Sequence, residues 1–171
     1  MRTVAEVEEF ARLAHEGQTD KVGVPYIEHV RAVAAGLVPF GDHLVMSGLL
    51  HDVIEDTRWT AEQLRATGMP PHVVSVVEAV TNQAGMPYEE KIRRITADPK
   101  ATLVKIADNA HNSHPARTDR LPPDQRIRLA TKYRSARDLL WAAALERDVE
   151  AIVSIVNPSL LDELAERRTA W

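Results

Sequence analysis

The chain has 171 residues, 44% of them hydrophobic, and a formal net charge of -4, enough for one soluble domain with a sizeable core. Its 21 Lys and Arg against 25 Asp and Glu leave no basic tail to track phosphates, which disfavours nucleic acid as a partner. Cysteine is absent, so disulfides and thiolate metal sites are excluded and any metal must be held by histidines and carboxylates.

Neither a basic-then-apolar N-terminal stretch nor an apolar run near the ~20 residues that span a bilayer occurs, so export and membrane insertion are not expected and the expected compartment is the cytoplasm. Val4, Val7, Phe10, Ala11 and Ala14 recur at helical spacing and predict a scaffold helix from about Thr3 to His15. Gly17, Gly23 and Pro25 then mark a loop, where binding residues often sit on a rigid frame. Ile27, Val30, Val33, Ala34 and Leu37 begin a second helix carrying His29, closed by Pro39 and Gly41. A single histidine there is more often a hydrogen-bonded structural residue than a ligand.

The third predicted helix contains Leu49-Leu50-His51-Asp52-Val53-Ile54-Glu55-Asp56-Thr57. At helical period Met46, Leu49, Leu50, Val53 and Ile54 form a wide apolar face, with Gly48, His51, Asp52, Glu55 and Asp56 opposite. Asp52 precedes Glu55 and Asp56 by three and four residues, so the carboxylates are neighbours that repel unless a cation lies beside them. An acidic turn pointing into water is the plain alternative. It accounts neither for the adjacent His-Asp pair nor for the apolar flank. His29 and His51 are placed to face each other across a short helix pair.

Thr60, with Gln63 three residues on, predicts a capped short helix ending near Gly68. Pro70-Pro71 open a segment with Val73, Val74, Val76, Val77 and Val80. Its β-branching suits a strand, but Glu78 and the proline start favour a buried helix. A loop from Asn82 to Pro87 leads to a helix from Tyr88 to Thr96, in which Lys91, Arg93 and Arg94 read first as a solvated basic face and second as phosphate contacts. Pro99 opens an element in which Leu103, Val104, Ile106 and Ala107 precede Asp108, Asn109, His111 and Asn112. Asp108 and Asn112 share a helix face, and a carboxylate ending an apolar run needs a partner if it is buried.

Pro115, Pro122 and Pro123 punctuate an irregular connection with Arg117, Asp119 and Arg120. A long helix is expected from about Asp124 to Arg147, through Ile127, Ala130, Tyr133, Leu139, Leu140 and Ala143. Ile152, Val153, Ile155 and Val156 complete the core, and Asn157-Pro158 start a last helix to about Arg168. Whether that helix and Trp171 pack on this chain or on a partner is left open, and oligomeric state with it. The expectation is one all-α domain over residues 1–171, with a motif-bearing core at about 4–133 and C-terminal helices at about 124–171.

In order, His29, His51-Asp52 and Asp108 form the pattern H…HD…D, which resembles the HD phosphohydrolase superfamily. His15-Glu16-Gly17-Gln18, Gly23-Val24-Pro25-Tyr26-Ile27-Glu28-His29, Leu50 to Thr57, Val80-Thr81, and Val104-Lys105-Ile106-Ala107-Asp108 with His111-Asn112 resemble the hydrolase domain of RelA/SpoT proteins. They are also similar to the free-standing small alarmone hydrolases of the metazoan SpoT homologue type, over roughly Val4 to Tyr133. The resemblance implies a compact HD-type helical domain with one divalent ion, usually manganese, held by His29, His51, Asp52 and Asp108. Mixed imidazole and carboxylate ligation suits such an ion. It implies that Glu55 and Asp56 orient or deprotonate an attacking water, and that the substrate is a small nucleotide, (p)ppGpp, which loses pyrophosphate from its 3′ position to leave GDP or GTP. It also places Lys21, Asn112, Lys91 and Tyr133 at the nucleotide.

Three positions depart from the family pattern. Asp20 stands where an arginine commonly packs on guanine, so a flat cation gives way to an anion. Asn109 replaces a favoured arginine, and Pro115 replaces a threonine near the base. Metal chemistry is expected intact and base recognition altered. The same chemistry on another nucleotide, such as an adenine alarmone, NADPH or a nucleoside monophosphate, is therefore the alternative. A non-catalytic nucleotide sensor is a further one, against which the retention of both Glu55 and Asp56 speaks.

Overall fold

Thr3 opens the first helix with a capping box: its hydroxyl accepts from the Glu6 N–H, and the Glu6 carboxylate accepts from the Thr3 N–H at 2.7 Å. From there the computed structural model, which describes residues 2–169, runs through α1 (Val4–Ala14), α2 (Tyr26–Gly36), α3 (Asp42–Leu50), α4 (Val53–Asp56), α5 (Ala61–Ala66) and α6 (Pro71–Val80). It continues with α7 (Tyr88–Ile95), α8 (Pro99–Asn112), α9 (Pro115–Thr118), α10 (Pro123–Ala142), α11 (Glu146–Val156) and α12 (Leu161–Thr169). The all-α expectation holds: among the described residues the extended pairing is a single bridge, Thr19 with Pro25. Trp171 lies outside the described residues. No helix among them is long and apolar enough to cross a membrane.

The core is built around α3, whose residues from Leu44 to Leu50 are all buried. It packs against α1, α2, α6 and α8, while α8 in turn carries α10 and α11. That surround corrects the two-faced reading of α3. Ser47, Gly48 and His51 are buried with the apolar residues, because neighbours on every side leave no solvent face. Gly48 marks the closest crossing. A Cβ there would meet Leu37 Cδ1 at 2.7 Å and the Ala34 Cα at 3.0 Å, so its lack of a side chain lets α3 lie directly on α2.

The His-Asp stretch is also not one helix. α3 ends at Leu50, His51 and Asp52 form a turn with Asp52 at φ -104° and ψ -1°, and α4 resumes at Val53. The valine-rich segment is helical, as its proline start favoured. Five valines of α6 are buried, each worth about 1.5–3 kcal/mol relative to exposure, which outweighs a helix-propensity deficit of at most about 0.7 kcal/mol each.

The expected long helix stops at Ala142, and Leu145, extended and 57% exposed, turns the chain into α11. The break lets α11 return onto α2 and α8. Ile155, placed in the core by pattern, is 49% exposed, and Ile127 on the long helix is 64% exposed; they sit on the outer sides of α11 and α10. Pro115 starts the short α9 inside the connection read as irregular. Nor is α7 a solvated basic face. Lys91 is buried, and Arg94 donates to the carbonyls of Ala79 and Thr81, so only Arg93 of the three is exposed.

Candidate active site

α2 supplies His29, the α3–α4 turn His51 and Asp52, and α8 Asp108. Ligand atoms of His29, His51 and Asp108 lie within 4.8 Å of one another, all three residues buried. Asp52 joins them: its Oδ2 is 2.9 Å from His51 Nε2 and 3.5 Å from His29 Nε2. The break at the His-Asp turn serves this placement by bringing both side chains inward at once.

The surroundings orient both imidazoles. His51 Nδ1 donates to the Gly48 carbonyl at 2.7 Å, which turns Nε2 toward the carboxylates, and that buried atom makes no hydrogen bond of good geometry. His29 Nδ1 lies 2.7 Å from His111 Nδ1. Burial, with the charges of His29 and Arg117, pushes His111 down to about 3, so it stays neutral beside His29. His29 Nε2 thereby faces the carboxylates, 3.5 Å from Asp52 Oδ2 and 3.3 Å from Asp108 Oδ1. The Tyr26 hydroxyl donates to Asp52 Oδ2 at 2.6 Å and fixes its rotamer.

Burial alone disfavours charge here, but the partners outweigh it. Facing His51 holds Asp52, and facing Lys105 holds Asp108, well below the usual carboxylate range. Burial also opposes a proton on His51, yet the carboxylates of Asp52 and Asp108 raise it to about 10. A field that draws a proton to Nε2 draws a divalent cation there equally. The donor set, two imidazoles with carboxylates and no thiolate, therefore fits a metal ion of intermediate hardness.

Glu55 and Asp56 follow on α4, both on the wall of a cleft of about 600 Å³. Glu55 Oε2 accepts from the Asn82 N–H at 2.8 Å and lies 3.3 Å from Lys91 Nζ. Burial and then the charge of Asp52 raise the Asp56 carboxyl above its ordinary value, which suits it to accept a proton. Lys21, Lys91, Asn112 and Tyr133 all line the same cleft, and Asn112 Nδ2 donates to Asp108.

Several cleft residues were not singled out from sequence. Lys105, three residues before Asp108 on α8, places Nζ 2.5 Å from its Oδ2, and Tyr26, His111, Tyr88, Arg117 and Lys132 complete the walls and supports. The helical offset of three was a readable signal for Lys105 and His111; Tyr26 and Lys132 carried none.

Asp20 does not offer the substrate a bare anion. Its side chain is 3% exposed, Oδ1 accepts from the N–H groups of Val22 and Val24, and Oδ2 lies 3.1 Å from Arg117 Nη1. Asn109 turns away from the cleft, donating to the Tyr133 carbonyl at 3.1 Å and accepting from Arg137. Pro115 begins α9. Two of the three departures are thus matters of packing.

Against known proteins, the HD domain family profile matches residues 8–136. The chain is 38% identical over 133 residues to a guanosine-3′,5′-bis(diphosphate) 3′-pyrophosphohydrolase of Haemophilus influenzae, covering 70% of this chain and 19% of that protein. It is 35% identical over 133 residues to the bifunctional (p)ppGpp synthase/hydrolase SpoT of Escherichia coli, covering 70% of this chain and 18% of that protein. It therefore spans about a fifth of the length of these curated relatives. A solved structure of a metazoan ortholog of SpoT, described as hydrolysing ppGpp, superposes with a TM-score of 0.70 over 88% of this chain and 93% of that one, at 24% identity, which speaks to the fold. With that profile matched over residues 8–136, the chain belongs to the HD domain family.

Proposed function

We propose that the chain is a metal-dependent pyrophosphohydrolase of (p)ppGpp, releasing pyrophosphate from the 3′ position. The observation that carries this reading is the convergence of His29, His51 and Asp108, with the unpartnered His51 Nε2, beside the Glu55–Asp56 pair in a lysine-lined cleft. In this reading His29, His51, Asp52 and Asp108 hold one divalent ion, manganese by preference. Such an ion, when bound, supplies Lewis acidity and lowers the pKa of its water.

The chain's own groups do the rest. Asp56 takes the proton of the attacking water, and Glu55, steadied by Asn82 and Lys91, orients that water. Its oxygen bonds to the phosphorus next to the ribose 3′ oxygen, the phosphorus–ribose oxygen bond breaks, and the ribose oxygen is protonated as pyrophosphate leaves. Lys21, Lys91, Asn112 and Tyr133 position the nucleotide, with charge-assisted contacts from the lysines. The names of the Haemophilus and Escherichia relatives support the choice of substrate.

The test is product analysis with metal-stripped and manganese-reconstituted protein given ppGpp, an adenine counterpart, NADPH and nucleoside monophosphates. Metal-dependent pyrophosphate release from ppGpp is expected; ppGpp left intact overturns the reading. Turnover of another nucleotide alone would favour the second reading, which rests on Asp20 and Arg117 pairing where the resemblance expects a base-stacking arginine.

A further inference from the structure

Five cations line the cleft: Lys21, Lys91, Lys105, Arg117 and Lys132. Three are committed to carboxylates, Lys91 to Glu55 at 3.3 Å, Lys105 to Asp108 at 2.5 Å and Arg117 to Asp20 at 3.1 Å. Among the described residues neither Lys21 nor Lys132 has a carboxylate within ion-pair reach. They differ in how firmly they are held. Lys21 is an exposed loop residue. Lys132 projects from α10 with Nζ 4.2 Å from the centre of the Tyr88 ring and 5.8 Å from that of Tyr133, both rings belonging to the cleft wall.

Such a seat fixes the ammonium over a negative ring face without neutralising it. Burial, and then the charges of Lys105, Lys21 and Lys91, lower its hold on its proton, so the position is strained by like charge until an anion arrives. Lys91 and Lys105 are already answered by Glu55 and Asp108, which leaves Lys132 as the firmly seated cation of the cleft without a carboxylate partner. A substrate with two separate phosphate groups needs positive charge for the one that is not cleaved.

Resting on the proposed function, we propose that Lys132, seated on Tyr88, is a specificity-determining residue that binds the uncleaved 5′-diphosphate of the nucleotide. It selects substrates bearing a second phosphate group over nucleosides phosphorylated at one end only. A mere packing contact between Lys132 and Tyr88 predicts no such selection.

Equilibrium binding of GDP and of guanosine to the full chain separates the two, using Lys132→Met, which keeps the apolar stem, and Lys132→Arg, which keeps the charge. Loss of one charge-assisted contact predicts about tenfold weaker GDP binding in Lys132→Met, unchanged guanosine binding, and recovery in Lys132→Arg. With ppGpp, KM rises by about the same factor while kcat holds. GDP binding equal to wild type in Lys132→Met overturns the proposal, as does an equal loss for guanosine. Because GDP binding needs no turnover, an inert wild type whose GDP affinity still depends on Lys132 would reject the proposed reaction and retain this subsite, whereas active enzyme with an unchanged KM would reject the subsite alone.

Discussion

Asp108 and Asn109 are neighbours on α8, yet they lead into two polar clusters of opposite character. Asn109 belongs to a closed one. Arg137, with 7% of its side chain exposed, donates to both Glu163 carboxylate oxygens at 3.1 and 2.7 Å, to Asn109 Oδ1 at 3.2 Å and to Ser113 Oγ at 2.9 Å. Arg167 joins Glu163 and Asp138 at 2.7 and 2.8 Å, with the Trp141 ring 4.7 Å from its guanidinium. Two cations meet two carboxylates, and the chain answers its own charges. Asp108 belongs to an open cluster, where Asp52, Asp108, Glu55 and Asp56 outnumber Lys91 and Lys105 and His51 Nε2 faces no hydrogen-bond partner. A chain selected only for stability would close both, since an unanswered buried charge is costly. Stability is invested in the first cluster and ligand capacity in the second.

The largest effect expected from breaking this contrast lies in the open cluster. Glu55→Gln keeps an acceptor for the Asn82 N–H and removes the charge, so kcat should fall by about 10²–10⁴-fold while bound metal, counted per chain, stays at the wild-type level. Undiminished turnover would remove Glu55 from the mechanism. In the closed cluster the same kind of deletion costs stability. Arg137→Ala strands Glu163 and Asn109 and should lower unfolding free energy by about 3 kcal/mol, read from urea midpoints, with kcat per folded molecule retained. A collapse of kcat in that variant would mean the two clusters are coupled through α8.

His111→Phe sharpens the comparison from the support side of the open cluster. His29 Nδ1 then loses its hydrogen-bond partner and with it the orientation that aims Nε2 inward. Metal affinity should drop by about 10–100-fold, measured by titration of stripped protein with manganese, and thermal stability in the absence of metal should change less than in Arg137→Ala. Equal metal affinity would show that packing alone orients His29.

Much of the open cluster was legible because its chemistry is local in sequence. The pairing of His51 with Asp52, the offsets to Glu55 and Asp56, and the apolar run ending at Asp108 each violate an ordinary burial pattern within one turn of helix. The capping signal at Thr60 was local too, and its cap forms. What escaped depended on partners far apart in the chain. Asp20 looked like an exposed anion because Arg117 is 97 positions away. Lys91 looked like a surface lysine because nothing nearby announces Glu55. Helical period cannot tell a helix with one buried face from one enclosed on all sides, and so Gly48 was put on a polar face when its role is the α2–α3 crossing. The stop of α10 at Ala142 was hidden because the residues up to Arg147 keep good helix propensity, and only the return of α11 onto α2 and α8 requires the bend.

The smallest effect tests whether the closed cluster is as closed as its geometry indicates. Burial would raise the Glu163 carboxyl, but its bonds to Arg137 and Arg167 outweigh that and hold it below the ordinary value of 4.5. A carboxylate depressed in the folded state contributes stability that is present in full above that ordinary value and is lost as the pH falls through the lower folded-state value. Wild-type protein should therefore lose stability more steeply than Glu163→Gln as pH is taken down from about 5, the range where such linkage begins, and the two urea-midpoint curves should converge in acid. Metal-stripped protein is the right sample for both, because protonation of the histidines and carboxylates of the open cluster then contributes equally and cancels in the difference. Parallel curves would mean that Glu163 gains nothing from its arginines beyond what water offers, and Arg137 would then be held by Asn109 and Ser113 rather than by its ion pair.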